Sequence, residues 1–153
     1  MKKLLHVLVL SCAVLGALTA ADRRGVVPED YYAFKSVSDT RLSPDGRLVA
    51  YVVTSVDAGQ NRRYSAVWLA PADGSPGPRQ LTTGPSSHMP RWSPDGRTLA
   101  FLSARSGKPQ VYVLPMSGGE ARGITDLEGG VESFHWSPEG ERLVCATKAG
   151  PEV

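Results

Sequence analysis

From residue 37 onward the chain is a succession of short apolar runs separated by turn-forming residues. Leu48–Val53, Val67–Ala70, Leu99–Leu102, Val111–Leu114 and Leu143–Cys145 are the runs, and Gly, Pro, Asp and Ser fill the gaps between them. Runs of four to six residues bounded by such punctuation read as strands, and nothing after residue 25 shows the i, i+3, i+4 spacing of an amphipathic helix. Residues 29–36 alone read as a short helical turn. The runs are continuous rather than alternating, as expected of strands covered on both faces.

The turns repeat with the strands. Ser43-Pro44-Asp45-Gly46, Ser93-Pro94-Asp95-Gly96 and Ser137-Pro138-Glu139-Gly140 start 50 and then 44 residues apart. Pro presets φ for the first central position of a type I turn, Asp suits the second, and Gly accepts the left-handed conformation that closes a hairpin. Thr40-Arg41-Leu42, Pro90-Arg91-Trp92 and Phe134-His135-Trp136 lead into the three turns, and the apolar runs leave them.

The rest of the unit repeats as well. Ala66-Val67-Trp68-Leu69-Ala70-Pro71 matches Gln110-Val111-Tyr112-Val113-Leu114-Pro115, each followed by a Gly-bearing turn (Asp73-Gly74, Gly118-Gly119). Arg79–Thr82 and Arg122–Thr125 read as a closing fourth strand. Four short antiparallel strands in roughly 44 residues have the dimensions of one β-propeller blade. The expectation is an all-β, partial β-propeller of about two and a half four-stranded blades, at about 37–84, 87–127 and 131–153 (partial). Residues 22–36 form a lead-in segment.

Residues 1–21 belong outside that fold. Lys2 and Lys3, an apolar run from Leu4 to Leu18 and the small residues Thr19-Ala20-Ala21 have the layout of an export signal peptide, with an uncleaved anchor and a lipoprotein box at Val9–Cys12 as weaker readings. The expected location is periplasmic or secreted. Removing residues 1–21 leaves 132 of the 153 residues with 15 Lys+Arg, down from 17, against 15 Asp+Glu. A net charge near zero argues against a nucleic-acid partner, or an anionic membrane once the signal is gone. Cys145 is then a lone thiol at the strand position of Tyr51 and Phe101, expected to be buried and structural.

The repeat resembles the WD40-like, TolB-type propeller repeat, which is shared by TolB and by the propellers of the prolyl oligopeptidase family of serine peptidases. Pro28-Glu29-Asp30-Tyr31-Tyr32, Val37-Ser38-Asp39 and the run from Ala50 through the polar insert at 57–63 to Leu69 resemble the start of the propeller in acylaminoacyl-peptidase-like and dipeptidyl-peptidase-like members. The resemblance implies a propeller that gates and positions peptide substrates over an α/β-hydrolase catalytic domain. That domain is missing from this sequence, so the chain alone is expected to be inactive. A TolB-like protein-binding propeller without catalysis is the alternative. Two and a half blades leave uncovered sheets, so the chain reads as the front of something longer. Self-association through open blade edges and a truncated reading frame are the rival readings of its length.

Candidate chemistry is sparse. No Gly-x-Ser-x-Gly nucleophile elbow occurs, and Gly74-Ser75-Pro76-Gly77 is expected to be an outer turn because Pro76 would block the helix an elbow needs. His88 is expected in a solvated loop and His135 in a structural position shared with Arg41 and Arg91. Asp45, Asp95 and Glu139 are read as turn-forming carboxylates rather than metal ligands. Trp92 and Trp136 hold one repeat position and are expected to pack between blades, while Trp68 offers only a weaker hint of a stacking platform. Arg62-Arg63-Tyr64 reads as a hairpin tip. No catalytic, cofactor-binding or metal residue is assigned, and no cofactor is expected.

Overall fold

In the computed structural model, residues 24–84 and 86–148 are described; the expected signal peptide lies outside them. Chain contacts divide the protein into a unit ending at Asp30 and a unit from Tyr31 onward. In the first, Asp30 pairs with Arg24 and accepts the Val27 backbone N–H at 3.0 Å. A 3-10 helix occupies Pro28–Ala33, overlapping the segment read as a short helical turn.

The larger unit is built from three antiparallel sheets. β1 (Ser36–Leu42), β2 (Leu48–Asp57), β3 (Arg62–Pro71) and β4 (Arg79–Gln80) pair in sequence order. β5 (Ser87–Trp92), β6 (Thr98–Ser103), β7 (Gln110–Pro115) and β8 (Arg122–Gly123) repeat the arrangement, and β9 (Ser133–Trp136) with β10 (Leu143–Ala146) begins it again. These sheets are the propeller blades of the sequence reading, which holds as an all-β, partial-propeller fold.

β6 explains the continuous apolar runs. Leu99 and Phe101 point into one core with Ala50, Val67 and Leu69 of the first blade. Ala100 and Leu102 point the opposite way, into a second core with Val111, Val131 and Phe134. Successive strand residues face opposite sides, so a strand sandwiched between two blades must be apolar at every position. All four of these β6 residues are fully buried, with burial of each larger side chain contributing about 1–3 kcal/mol. β2 departs from the expectation: Ala50 and Val52 are buried, whereas Val49, Tyr51 and Val53 are only half-buried, because the described blades cover one of its faces.

The first hairpin is longer than the second. β2 and β3 pair from Leu48–Pro71 out to Asp57–Arg62. The insert at 57–63 therefore extends the two strands and ends in a tip where Asp57 Oδ1 accepts the Gln60 N–H at 2.9 Å.

The fourth strands are shorter than Arg79–Thr82 and Arg122–Thr125. Leu81 still donates its N–H to the Val67 carbonyl (2.8 Å), but the Val67 N–H goes to the Thr82 hydroxyl at 2.9 Å. In the second blade Ile124 donates to the Val111 carbonyl and Val111 to the Thr125 hydroxyl, each at 2.9 Å. A threonine hydroxyl takes the place of the next backbone carbonyl, and regular pairing stops there.

Candidate functional site

The recurring turn is held by its own side chains. Ser43 Oγ accepts the Leu48 N–H (2.9 Å) and donates to Asp45 Oδ1 (2.6 Å), which also accepts the Arg47 N–H (3.1 Å). Ser93, Asp95, Arg97 and Thr98 repeat this, at 3.0 Å from Thr98 N, 2.6 Å to Asp95 and 3.0 Å from Arg97 N. The Ser hydroxyls, followed by the backbone N–H groups, hold the Asp45 and Asp95 carboxyls below the usual carboxylate range. These carboxylates are spent on the turn, as expected. In the third copy the Ser137 hydroxyl accepts the Arg142 N–H at 3.3 Å.

The turns also join the blades. A Cβ on Gly96 would lie 3.4 Å from Cδ of Pro44, and one on Gly140 would lie 3.1 Å from Cδ of Pro94, so each proline ring rests on the glycine of the next turn. Both glycines have positive φ, 69° and 78°, so two separate constraints select glycine there. Trp92 Nε1 donates to the Arg41 carbonyl and Trp136 Nε1 to the Arg91 carbonyl. The packing role expected of these tryptophans is joined by a directional tie from each blade to the one before.

A polar cluster lies where β1 meets β5. Asp39 accepts from Arg91 Nη1 at 3.0 and 3.1 Å and pairs with Arg41 at 2.7 Å. Arg91 Nη1 also donates to the Pro90 carbonyl (2.7 Å). Asp39 has φ 46° and Met89, fifty residues on, has φ 55°; both sit where strand register slips, between Ser38 and Arg41 and between His88 and Arg91. These are β-bulges, which re-aim side chains.

His88 belongs to β5 and is half-buried, not a solvated loop residue. The bulge at Met89 breaks the alternation that would reveal the strand. Burial pushes the His88 pKa down, and the Asp39 carboxylate opposes that to a lesser degree. His135 is an exposed β9 residue paired with Val144. Neither histidine hydrogen-bonds a serine among the described residues, so no nucleophile–base pair is assembled there. No group of three or more His, Cys, Asp or Glu among them could hold a metal ion.

Cys145 is half-buried at the margin of the second core rather than fully enclosed, and that burial raises its thiol pKa. Arg62 and Arg63 are exposed on β3, and Arg63 donates to the Tyr31 hydroxyl at 2.9 Å. Gly74-Ser75 is an exposed turn in which Ser75 N–H reaches Asp73 Oδ1 at 3.0 Å. Trp68 is half-buried on β3 and lines a hollow of about 600 Å³ with Gln60, Arg62 and Tyr64. A groove of about 410 Å³ lies against both blades, lined by Arg79, Leu81, Arg105, Leu114, Met116 and Glu120 among others. The Arg105 guanidinium is centred 4.6 Å from the Tyr112 ring, a cation–π distance. Sequence reasoning does not single out Asp39 or Arg105; nothing in their local composition marks them.

Blades of four antiparallel strands, joined turn on turn and tryptophan to carbonyl, define a partial β-propeller. Residues 19–152 match the family model described as the TolB beta propeller domain, and the chain belongs to that family. It is 39% identical over 127 residues to a protein named uncharacterized peptidase YuxL from Bacillus subtilis (strain 168), covering 82% of this chain and 19% of that one. It is 33% identical over 124 residues to dipeptidyl-peptidase 5 of Porphyromonas gingivalis, covering 80% and 18%. The solved, uncomplexed acylaminoacyl peptidase of Pyrococcus horikoshii superposes with a TM-score of 0.66 at 26% identity, over 80% of this chain and 19% of that one. The chain thus spans about a fifth of the length of these relatives.

Proposed function

We propose that this chain is the propeller portion of an exported serine peptidase, gating and positioning peptide substrates over an α/β-hydrolase domain. The observation that carries the reading is the pattern of coverage. Relatives named as peptidases match nearly the whole propeller here, while most of their own length lies outside the match. The geometry supports the same division of labour. The polar side chains described are committed to turns, blade junctions and a paired Asp39–Arg91 cluster, an arrangement suited to shape and access rather than bond cleavage.

The test has two parts. The purified 153-residue chain is expected to neither cleave peptides nor react with a fluorophosphonate serine probe. Serine-reagent-sensitive cleavage by it would overturn the proposal. The coding sequence read past Val153 is expected to contain further blades, then Gly-x-Ser-x-Gly with its Asp and His. Further blades followed by a stop would instead support a TolB-like protein-binding propeller, the reading favoured by the description of the matching family model. Export is checked by N-terminal sequencing of the protein from the cell envelope, expected to begin at Asp22.

A further inference from the structure

The two internal junctions share one design, and its two halves recur, unengaged among the described residues, at opposite ends of the blade array. At each junction the leading blade offers a proline ring, a backbone carbonyl and a small residue of its second strand: Pro44, Arg41 O and Ala50, then Pro94, Arg91 O and Ala100. The following blade inserts a turn glycine, a tryptophan and, in the third blade, Val131. Where these surfaces meet they are dry: Ala50 and Ala100 are 0% exposed and Val131 is 2% exposed.

The third blade presents the leading half again. Pro138 is exposed, and Val144, at the repeat position of Ala50 and Ala100, is 70% exposed. The first blade presents the inserting half. Nothing lies within 4 Å of a Cβ on Gly46, Val37 at the position of Val131 is 61% exposed, and Leu42 at the tryptophan position is 60% exposed. Apolar surface is thus exposed on both halves, each the repeat counterpart of residues that are covered inside the molecule.

We infer that the first blade of a second copy of this chain seats on the third blade of the first copy, head to tail, reproducing the internal junction. Complementarity follows from repetition, since each half already binds its partner type within the same molecule. The contact is heterologous, so it propagates into a ring or an open array instead of stopping at a symmetric dimer. It is weaker than the internal junctions. Leu42 has no side-chain N–H to give the His135 carbonyl, and Arg41 meets Ser133 at the place where Arg91 meets Asp39. In a longer polypeptide a following blade of the same type would compete for the third-blade face with the advantage of being tethered.

Sedimentation velocity on the purified chain tests this. The weight-average mass is expected to rise with concentration. Val37→Asp and Val144→Asp, each placing a charge in one half of the contact, are each expected to weaken association about tenfold or more. An equimolar mixture of the two variants is expected to form a dimer and nothing larger, because one intact half remains on each. Leu42→Trp is expected to strengthen association. Circular dichroism on each variant establishes that it is folded. A wild-type chain that stays monomeric throughout, association that survives in both single variants, or a mixture that forms no dimer would overturn the inference.

Discussion

Trp92 on β5 donates its indole N–H to the carbonyl of Arg41 on β1 at 3.0 Å, and Trp136 does the same to Arg91 at 3.1 Å. One residue type at one repeat position therefore supplies both packing area and a fixed direction between successive blades. Trp92→Phe and Trp136→Phe keep an aromatic ring and remove the donor. Each is expected to cost about 1 kcal/mol, read as a lowered urea midpoint with little change in slope.

The turn serines are not equivalent. Ser93 is buried, and its hydroxyl accepts the Thr98 N–H while donating to Asp95. Ser93→Ala strands that N–H and is expected to destabilise by about 1–3 kcal/mol. Ser137 is more open and its bond from Arg142 is 3.3 Å long, so Ser137→Ala is expected to stay within about 0.5 kcal/mol. Equal losses in chemical denaturation would contradict the geometry.

Acid sensitivity follows from the turn carboxylates. Hydrogen bonds from Ser43 and Ser93, then from Arg47 and Arg97 N–H, keep the folded pKa values of Asp45 and Asp95 below their unfolded value, near about 3.9. The unfolded chain then binds more protons in that window, so this contribution is present above the unfolded pKa and is lost as pH falls through the folded values. Asp45→Asn with Asp95→Asn is expected to flatten the stability curve below pH about 4, measured by thermal melts across a pH series.

His88 acts in a higher window. Burial lowers its folded pKa below the ordinary value of about 6.5, with Asp39 opposing. The unfolded state again takes up the proton first, so stability is expected to fall as pH drops from about 6.5 through the folded pKa. His88→Gln is expected to remove that decline, leaving the more acidic limb of the melts in place.

The blades are legible in the sequence because their turns are local chemistry: Ser-Pro-Asp-Gly announces a hairpin wherever it stands, and three copies set the period. Strand β5 is half hidden, since a left-handed Met89 interrupts the pattern and places His88 in the sheet. The short fourth strands are overread because Thr82 and Thr125 look like strand residues while their hydroxyls end the ladder. Asp39 is invisible: its partner Arg91 is 52 residues away and meets it only once two blades stack. The turn carboxylates Asp45 and Asp95 are the part of the candidate chemistry that sequence can assign, because their partners lie two residues away.

The threonine caps carry a consequence for how the molecule meets its surroundings. By occupying the Val67 and Val111 amides, Thr82 and Thr125 keep the outermost strands, β4 and β8, to two paired residues each. An incoming β-strand finds almost no straight backbone to zip onto at that rim. Adhesion is thereby steered away from the perimeter and toward the broad blade faces, where fit depends on the turn and tryptophan pattern and not merely on spare backbone hydrogen bonds.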